Sequence, residues 1–197
     1  MAREMHAIIE PVTIPEGRRG DWTVKKLTVT PEVSGRTGTA WGRGHVPAGT
    51  YTQLCCEGRG VVMSDTPDEL IDQLEPVFRA RGHVLITGLG IGAVLAAVLK
   101  KPEVTMVTVV EAAPDVVAMV APNYRDDRVE IVTASAFDYE PPVGIRYGMV
   151  WHDIWDRITA SNLPGMDLLR RRYESYADWQ GCWCEWRCQM LAAGLKS

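Results

Sequence analysis

From residue 83 onward, the hydrophobic positions gather into short runs separated by turn residues. His83 to Thr87, Val104 to Val110, Val129 to Val132 and Tyr147 to Trp151 read as strands. Between them, Ile91 to Lys100 and Pro114 to Val120 read as helices, the second with proline at its start. Strands alternating with helices predict a Rossmann-like α/β domain: a parallel sheet with right-handed crossovers and helices on both faces. Upstream, Asp65 or Thr66 can cap a helix that has Pro67 in its first turn and Asp68 and Glu69 at its positive dipole end. Leu70, Ile71, Leu74, Val77 and Phe78 share one face of that helix, and Gly82 ends it. Asn162 and Pro164 open a further helix reaching about Tyr176, and the tail from Trp179 to Ser197 reads as helical. No strand is evident beyond Trp151, which leaves a short sheet, or one completed by the N-terminal section.

Residues 1–62 follow a different rhythm. Glycine, threonine and proline recur, and the runs Trp22-Thr23-Val24 and Leu27-Thr28-Val29 have β character. Thr50 to Cys56 and Gly60 to Met63 read as two strands around the turn Glu57-Gly58-Arg59. The expected organisation is a β-rich extension over 1–62, its first 20 residues loosely held, followed by the α/β domain and a helical tail over 63–197.

Composition narrows the function classes. Hydrophobic residues make up 46% and charged residues 23%, ordinary for a soluble globular chain. A net charge of −4 and a pI near 5.6 argue against a broad phosphate-binding surface, and so against nucleic acid as the partner. Met1 to Glu10 has no apolar core of a secretory signal, and Val84 to Leu99 is too short to span a bilayer. Five cysteines without such a signal point to reduced thiols and a cytoplasmic protein. Cys182-Trp183-Cys184 with Cys188 is tighter than zinc-ligand spacing and has no histidine nearby, so no metal is expected. The basic run Arg170-Arg171-Arg172 reads as a solvated helix face. The aromatic tail packs on the sheet or forms a homo-oligomer contact.

The chemistry lies in the loop Gly88-Leu89-Gly90-Ile91-Gly92, between a strand and a helix start. One glycine permits the tight turn, one lets a ligand reach the backbone, and one lets helix and strand pack closely. Glu111 ends the next strand about 20 residues on, where a carboxylate can accept two hydrogen bonds from a ribose diol. The spacing Gly-x-Gly-x-Gly is one residue short of the dinucleotide fingerprint, which argues against a nicotinamide or flavin cofactor. With strand order 3-2-1-4, Trp151-His152-Asp153-Ile154-Trp155-Asp156 faces this loop across the crevice where strand order reverses. Asp153 and Asp156 can steer a cationic substrate and accept its proton, each set against a capping or solvated role. His152 titrates near neutrality and is a candidate base, set against a structural histidine. Trp151 and Trp155 are candidates to stack on a ligand, set against core packing.

From about Tyr51 to Asp156, the chain resembles the class I S-adenosylmethionine-dependent methyltransferases, most of all their spermidine synthase-like branch. The resemblance rests on Ser64 to Glu69, on Val84 to Leu99, on Thr105 to Glu111, on Asp127 to Val132, and on Asp153-x-x-Asp156. It implies S-adenosylmethionine as cofactor. Gly88, Leu89, Gly90 and Gly92 would surround its methionine part, and Glu111 would hold its ribose. Ser135, Ala136 and Phe137 would flank its adenine. Asp153 and Asp156, with His152 beside them, would serve catalysis on a small-molecule or peptide acceptor. The chain departs from the pattern at Thr87, where many members carry an acid, at Ile91, where spermidine synthases carry Asp, and at Ser135, the place of the adenine-binding Asp. The catalytic tyrosine of spermidine synthases is also not evident in Ile71 to Leu74. The resemblance therefore implies a methyltransferase, with an aminopropyltransferase or a non-catalytic cofactor-binding protein as the alternatives.

Overall fold

The structure, a computed structural model, describes residues 9–32, 34 and 46–195. Two sheets build it. Strands β1 (Gly17–Arg19), β2 (Trp22–Val29), β3 (Gly49–Cys56) and β4 (Gly60–Ser64) form an antiparallel meander in sequence order. It ends at Ser64, so the expected boundary after residue 62 falls inside β4. Helices α1 (Pro67–Asp72) and α2 (Leu74–Arg79) follow. The second sheet contains β5 (Gly82–Thr87), β6 (Val104–Glu111), β7 (Val129–Thr133), β8 (Met149–His152) and β9 (Gln180–Cys182), in the order β7-β6-β5-β8-β9, every neighbour parallel. Helices α3 (Ala93–Leu99), α4 (Pro114–Val120), α5 (Leu163–Tyr173) and α6 (Glu185–Ala192) complete the chain.

Strand alternation sorts the core. Val84, Ile86, Val107, Val109, Met149 and Trp151 pack on one face of the parallel sheet with Val94, Leu95 and Val98 of α3 and Val116 and Val120 of α4. Leu85, Val110 and Val150 pack on the other face with Leu169 and Tyr173 of α5. Each of these large side chains contributes roughly 1.5–3 kcal/mol on burial. Val24 and Leu54 of the meander belong to the first of these clusters, so the N-terminal sheet docks on the α/β core, while Val29, Val46 and Tyr51 form a small separate cluster.

Four expectations change. The single helix expected before Gly82 is two, broken at Gln73. Pro76 is the cause: it has no N–H to give Asp72, four residues back, and its ring crowds that carbonyl. The break turns Ile71 and Phe78 outward, to 45% and 63% exposure. Neither Asp65 nor Thr66 caps this helix with its side chain; Asp65 is buried and accepts the Val12 and Thr52 amides. The segment before β1, expected to be loose, carries Ile9, Val12 and Ile14 into the core, while residues 1–8 lie outside the described region. A fifth strand, β9, completes the parallel sheet where helix was expected. Among the described residues no helix is long and apolar enough to cross a membrane.

Candidate active site

Backbone hydrogen bonds tie the carboxyl end of β5 to those of β8 and β6. The Asp153 amide donates to the Thr87 carbonyl at 2.8 Å, and the Gly88 amide to the Val110 carbonyl at 2.8 Å. Gly88 has φ +97°, and a Cβ there would stand 2.0 Å from the Asp153 carbonyl oxygen, so only glycine fits. Gly90 is approached by the Met63 side chain of β4. Gly92, the left-handed residue that starts α3, is covered by the Tyr124 ring, whose hydroxyl donates to the Ile91 carbonyl at 2.6 Å. The close approaches that require these glycines are thus made by the protein itself. Gly88 and Gly90 nonetheless line the cavity above the loop.

That cavity measures about 300 Å³, at the lower end of ligand pockets. Glu111 stands in its wall beside Ala112, Ala113 and Val116. One carboxylate oxygen accepts the Leu89 amide and the other the Ala113 amide, both at 2.8 Å. Each oxygen keeps a second lone pair, so Glu111 can brace the loop and still receive a diol. Ala136 lines the cavity, but Ser135 and Phe137 do not: the Ser135 hydroxyl accepts the Phe137 amide at 3.1 Å, and the Phe137 ring faces solvent.

Asp153 follows the end of β8 and stands in the cavity wall. Its Oδ2 accepts the Gln73 side-chain amide at 2.7 Å, and the Gln73 carbonyl accepts the Trp151 indole N–H at 2.9 Å. The indole fixes which end of Gln73 meets Asp153, because an indole only donates. Burial pushes the Asp153 carboxyl up to about 7; Gln73 opposes this, and the charges of Glu69, Asp72 and Glu111 add to it. Glu69 and Glu111 share the cavity wall with Asp153.

The other acid and the histidine sit elsewhere. Asp156 is an ion-pair partner of Arg59 at 2.8 Å and is not in the wall, whereas Arg59 is. His152 points to the opposite side of the sheet from Trp151, as strand parity requires. It is fully buried against the Tyr173 ring, with Nδ1 3.0 Å from the Thr87 hydroxyl. Burial holds its pKa down to about 4, so it is a neutral core residue away from the cavity. Trp151 is likewise core, stacked on Trp179, while Trp155 lines the cavity. Among the described residues no group of His, Cys, Asp and Glu could hold a metal ion.

The wall also contains Trp22, Arg59, Met63, Gln73 and Trp183, none of them evident from the sequence. Gln73 had a readable signal, since Pro76 breaks the helix there and leaves a polar residue at the corner. Trp22, Arg59 and Met63 come from the meander, and Trp183 from the turn after β9, where no local pattern marks them.

The five-stranded parallel sheet flanked by helices, with a small antiparallel sheet before it, is a Rossmann-like α/β fold. No protein-family model matches the sequence, and no curated protein matches it. Solved structures similar to it include a spermidine synthase from Thermotoga maritima, 19% identical over 65% of this chain with a TM-score of 0.40. Human methyltransferase-like protein 13 in complex with SAH is 18% identical over 63%, TM-score 0.40. An amino pentose methyltransferase from Micromonospora echinaspora with SAM bound is 17% identical over 56%, TM-score 0.39. The chain spans 49%, 61% and 44% of these three proteins' lengths, respectively.

Proposed function

We propose that this chain is an S-adenosylmethionine-dependent methyltransferase whose acceptor is a small molecule or a peptide. One observation carries the reading: a single cavity at the sheet's switch point is walled by the glycine loop, the Glu111 carboxylate and the half-buried Asp153. The residues suit the cofactor. Glu69, Glu111 and Asp153 make the wall negative, which favours a sulfonium cation, and the spare lone pairs of Glu111 suit ribose hydroxyls. Ala113, Val116 and Ala136 offer an apolar slot for adenine. S-adenosylmethionine, when bound, supplies an activated methyl group on a good leaving group. The protein aligns the acceptor with it and excludes water, and alignment alone can supply much of the rate. Asp153, with its pKa near neutrality, accepts the proton released by an attacking amine.

Aminopropyl transfer fits less well, because Asp156 is engaged by Arg59 rather than turned to the cavity with Asp153. The test is calorimetric titration of the purified protein with S-adenosylmethionine, its decarboxylated form and S-adenosylhomocysteine, followed by methyl transfer to an acceptor panel. The expected result is binding of the first and third, weakened by roughly 1.5–3 kcal/mol in Glu111→Gln, the worth of hydrogen bonds to a charged group. Binding of none of the three refutes the reading. Preference for the decarboxylated form favours polyamine chemistry, and tight binding without transfer to any acceptor favours a non-catalytic binder.

A further inference from the structure

We propose that Arg59 is a carboxylate anchor: the cavity takes a ligand that presents a carboxylate to the tip of the β3–β4 hairpin while its reacting end lies at Asp153. The proposal rests on the cavity being the S-adenosylmethionine site, and it adds a role for the one cation among the described lining residues.

The cavity is electrically lopsided. Among its described lining residues Arg59 is the one cation, set against Glu69, Glu111 and Asp153. The hairpin turn, with Gly58 at φ +76° and Gly60 at φ +83°, carries Arg59 toward the loop that follows β8. There its guanidinium lies 5.5 Å from the Trp22 ring centroid, and Trp22 also lines the cavity. An aromatic face beneath a guanidinium holds the plane of its donors, a preorganisation that suits a planar carboxylate.

Arg59 is only partly used. Nε donates to Oδ2 of Asp156 at 2.8 Å, and Nη2 lies 2.8 Å from the same oxygen as an ion-pair contact. A guanidinium carries five donors, so the Nη1 side remains open to a second anion. The pair with Asp156 is also a weak competitor, because Arg59 is 46% exposed and water screens such pairs. A phosphate dianion would suffer more than a carboxylate from the three nearby acids, so a carboxylate is the better match. Two sources offer that group: the methionine end of the cofactor itself, or an acceptor bearing both an amine and a carboxylate.

The test compares wild type, Arg59→Met and Asp156→Asn by calorimetry in two arms. The first measures S-adenosylmethionine against its decarboxylated form. The second measures 4-aminobutyrate against butylamine on protein saturated with S-adenosylhomocysteine. The expected result is a preference of about tenfold or more for the carboxylate-bearing probe in one arm, as a charge-assisted hydrogen bond would give. That preference should vanish in Arg59→Met and persist in Asp156→Asn, which frees Arg59. A preference in the first arm assigns the anchor to the cofactor, and one in the second assigns it to the acceptor. No carboxylate preference in either arm overturns the proposal, as does a preference that both variants change alike, the mark of a structural latch. Failure of wild type to bind any nucleoside overturns the functional reading itself, a result distinct from nucleoside binding that is indifferent to Arg59.

Discussion

Asp153→Asn should stabilise the fold at alkaline pH, although it removes a hydrogen-bonded carboxylate. Burial lifts this group from an ordinary 3.8 to about 7. Between those values the folded protein holds a proton that the unfolded chain has released. Unfolding then costs less as pH rises, by about 1.4 kcal/mol per pH unit from this group. Its stabilising contribution is complete below pH 3.8 and is lost as pH climbs through about 7. The whole interval is worth about 4 kcal/mol, and water in the cavity screens part of it, so roughly 2–4 kcal/mol is expected. Asparagine keeps an oxygen for the Gln73 amide and carries no charge to bury. Urea denaturation of both proteins from pH 4 to pH 8.5 is the assay. The variant should match wild type near pH 4, exceed it increasingly as pH rises through about 7, and keep that margin to pH 8.5, with an unchanged denaturant slope. A variant less stable than wild type at pH 8.5, or a difference that does not vary with pH, would refute a raised Asp153 pKa.

Two further substitutions test the backbone that shapes the cavity. Gly88→Ala places a Cβ 2.0 Å from the Asp153 carbonyl oxygen, in a residue at φ +97°, and neither atom can move without parting β5 from β8. A loss of about 3 kcal/mol or more is expected from strain and overpacking together, and a denaturation midpoint equal to wild type would contradict it. Among the described residues Cys184 is the non-glycine residue with positive φ, at 51°, and it turns the chain from β9 past Trp183 into α6. Cys184→Gly should hold stability within about 1 kcal/mol, whereas Cys184→Val should lose about 2 kcal/mol or more, since a β-branched side chain resists that conformation. Equal melting temperatures for the two variants would show that the turn carries no strain.

The parallel sheet was legible because each of its first four strands is a run of apolar residues bounded by turns, and alternation with helices leaves one topology. β9 was not, because Gln180-Gly181-Cys182 is three residues long with no apolar run. It is a strand because of its surroundings. The Val150 amide donates to the Trp179 carbonyl, the Trp183 amide to the His152 carbonyl, and Trp179 stacks on Trp151 at 6.3 Å. Gly181 leaves room for those two rings, since a Cβ there would meet Trp179 at 2.7 Å and Trp151 at 3.0 Å. A strand specified by its neighbours cannot be found by a window that sees only its own residues.

The same distinction divides the site. The glycine loop, Glu111 and Asp153 sit at ends of strands whose order was readable, so topology alone brings them to one crevice. His152 shows how sharp the limit is. It is the immediate neighbour of Asp153, yet strand parity sends it to the other side of the sheet, where burial keeps it neutral and Thr87 takes its nitrogen. That contact also bears on the departure at Thr87, the position where the resembling family carries an acid. A carboxylate there would sit beside a buried imidazole and favour its charged form, so Thr87 and His152 form a neutral pair in which each fits the other. Arg59, Met63 and Trp22 obey no such rule, because their place depends on how a second sheet docks over the first. The α/β motif alone therefore supplies the acidic wall, whereas Arg59, the one cation among the described lining residues, comes from the meander.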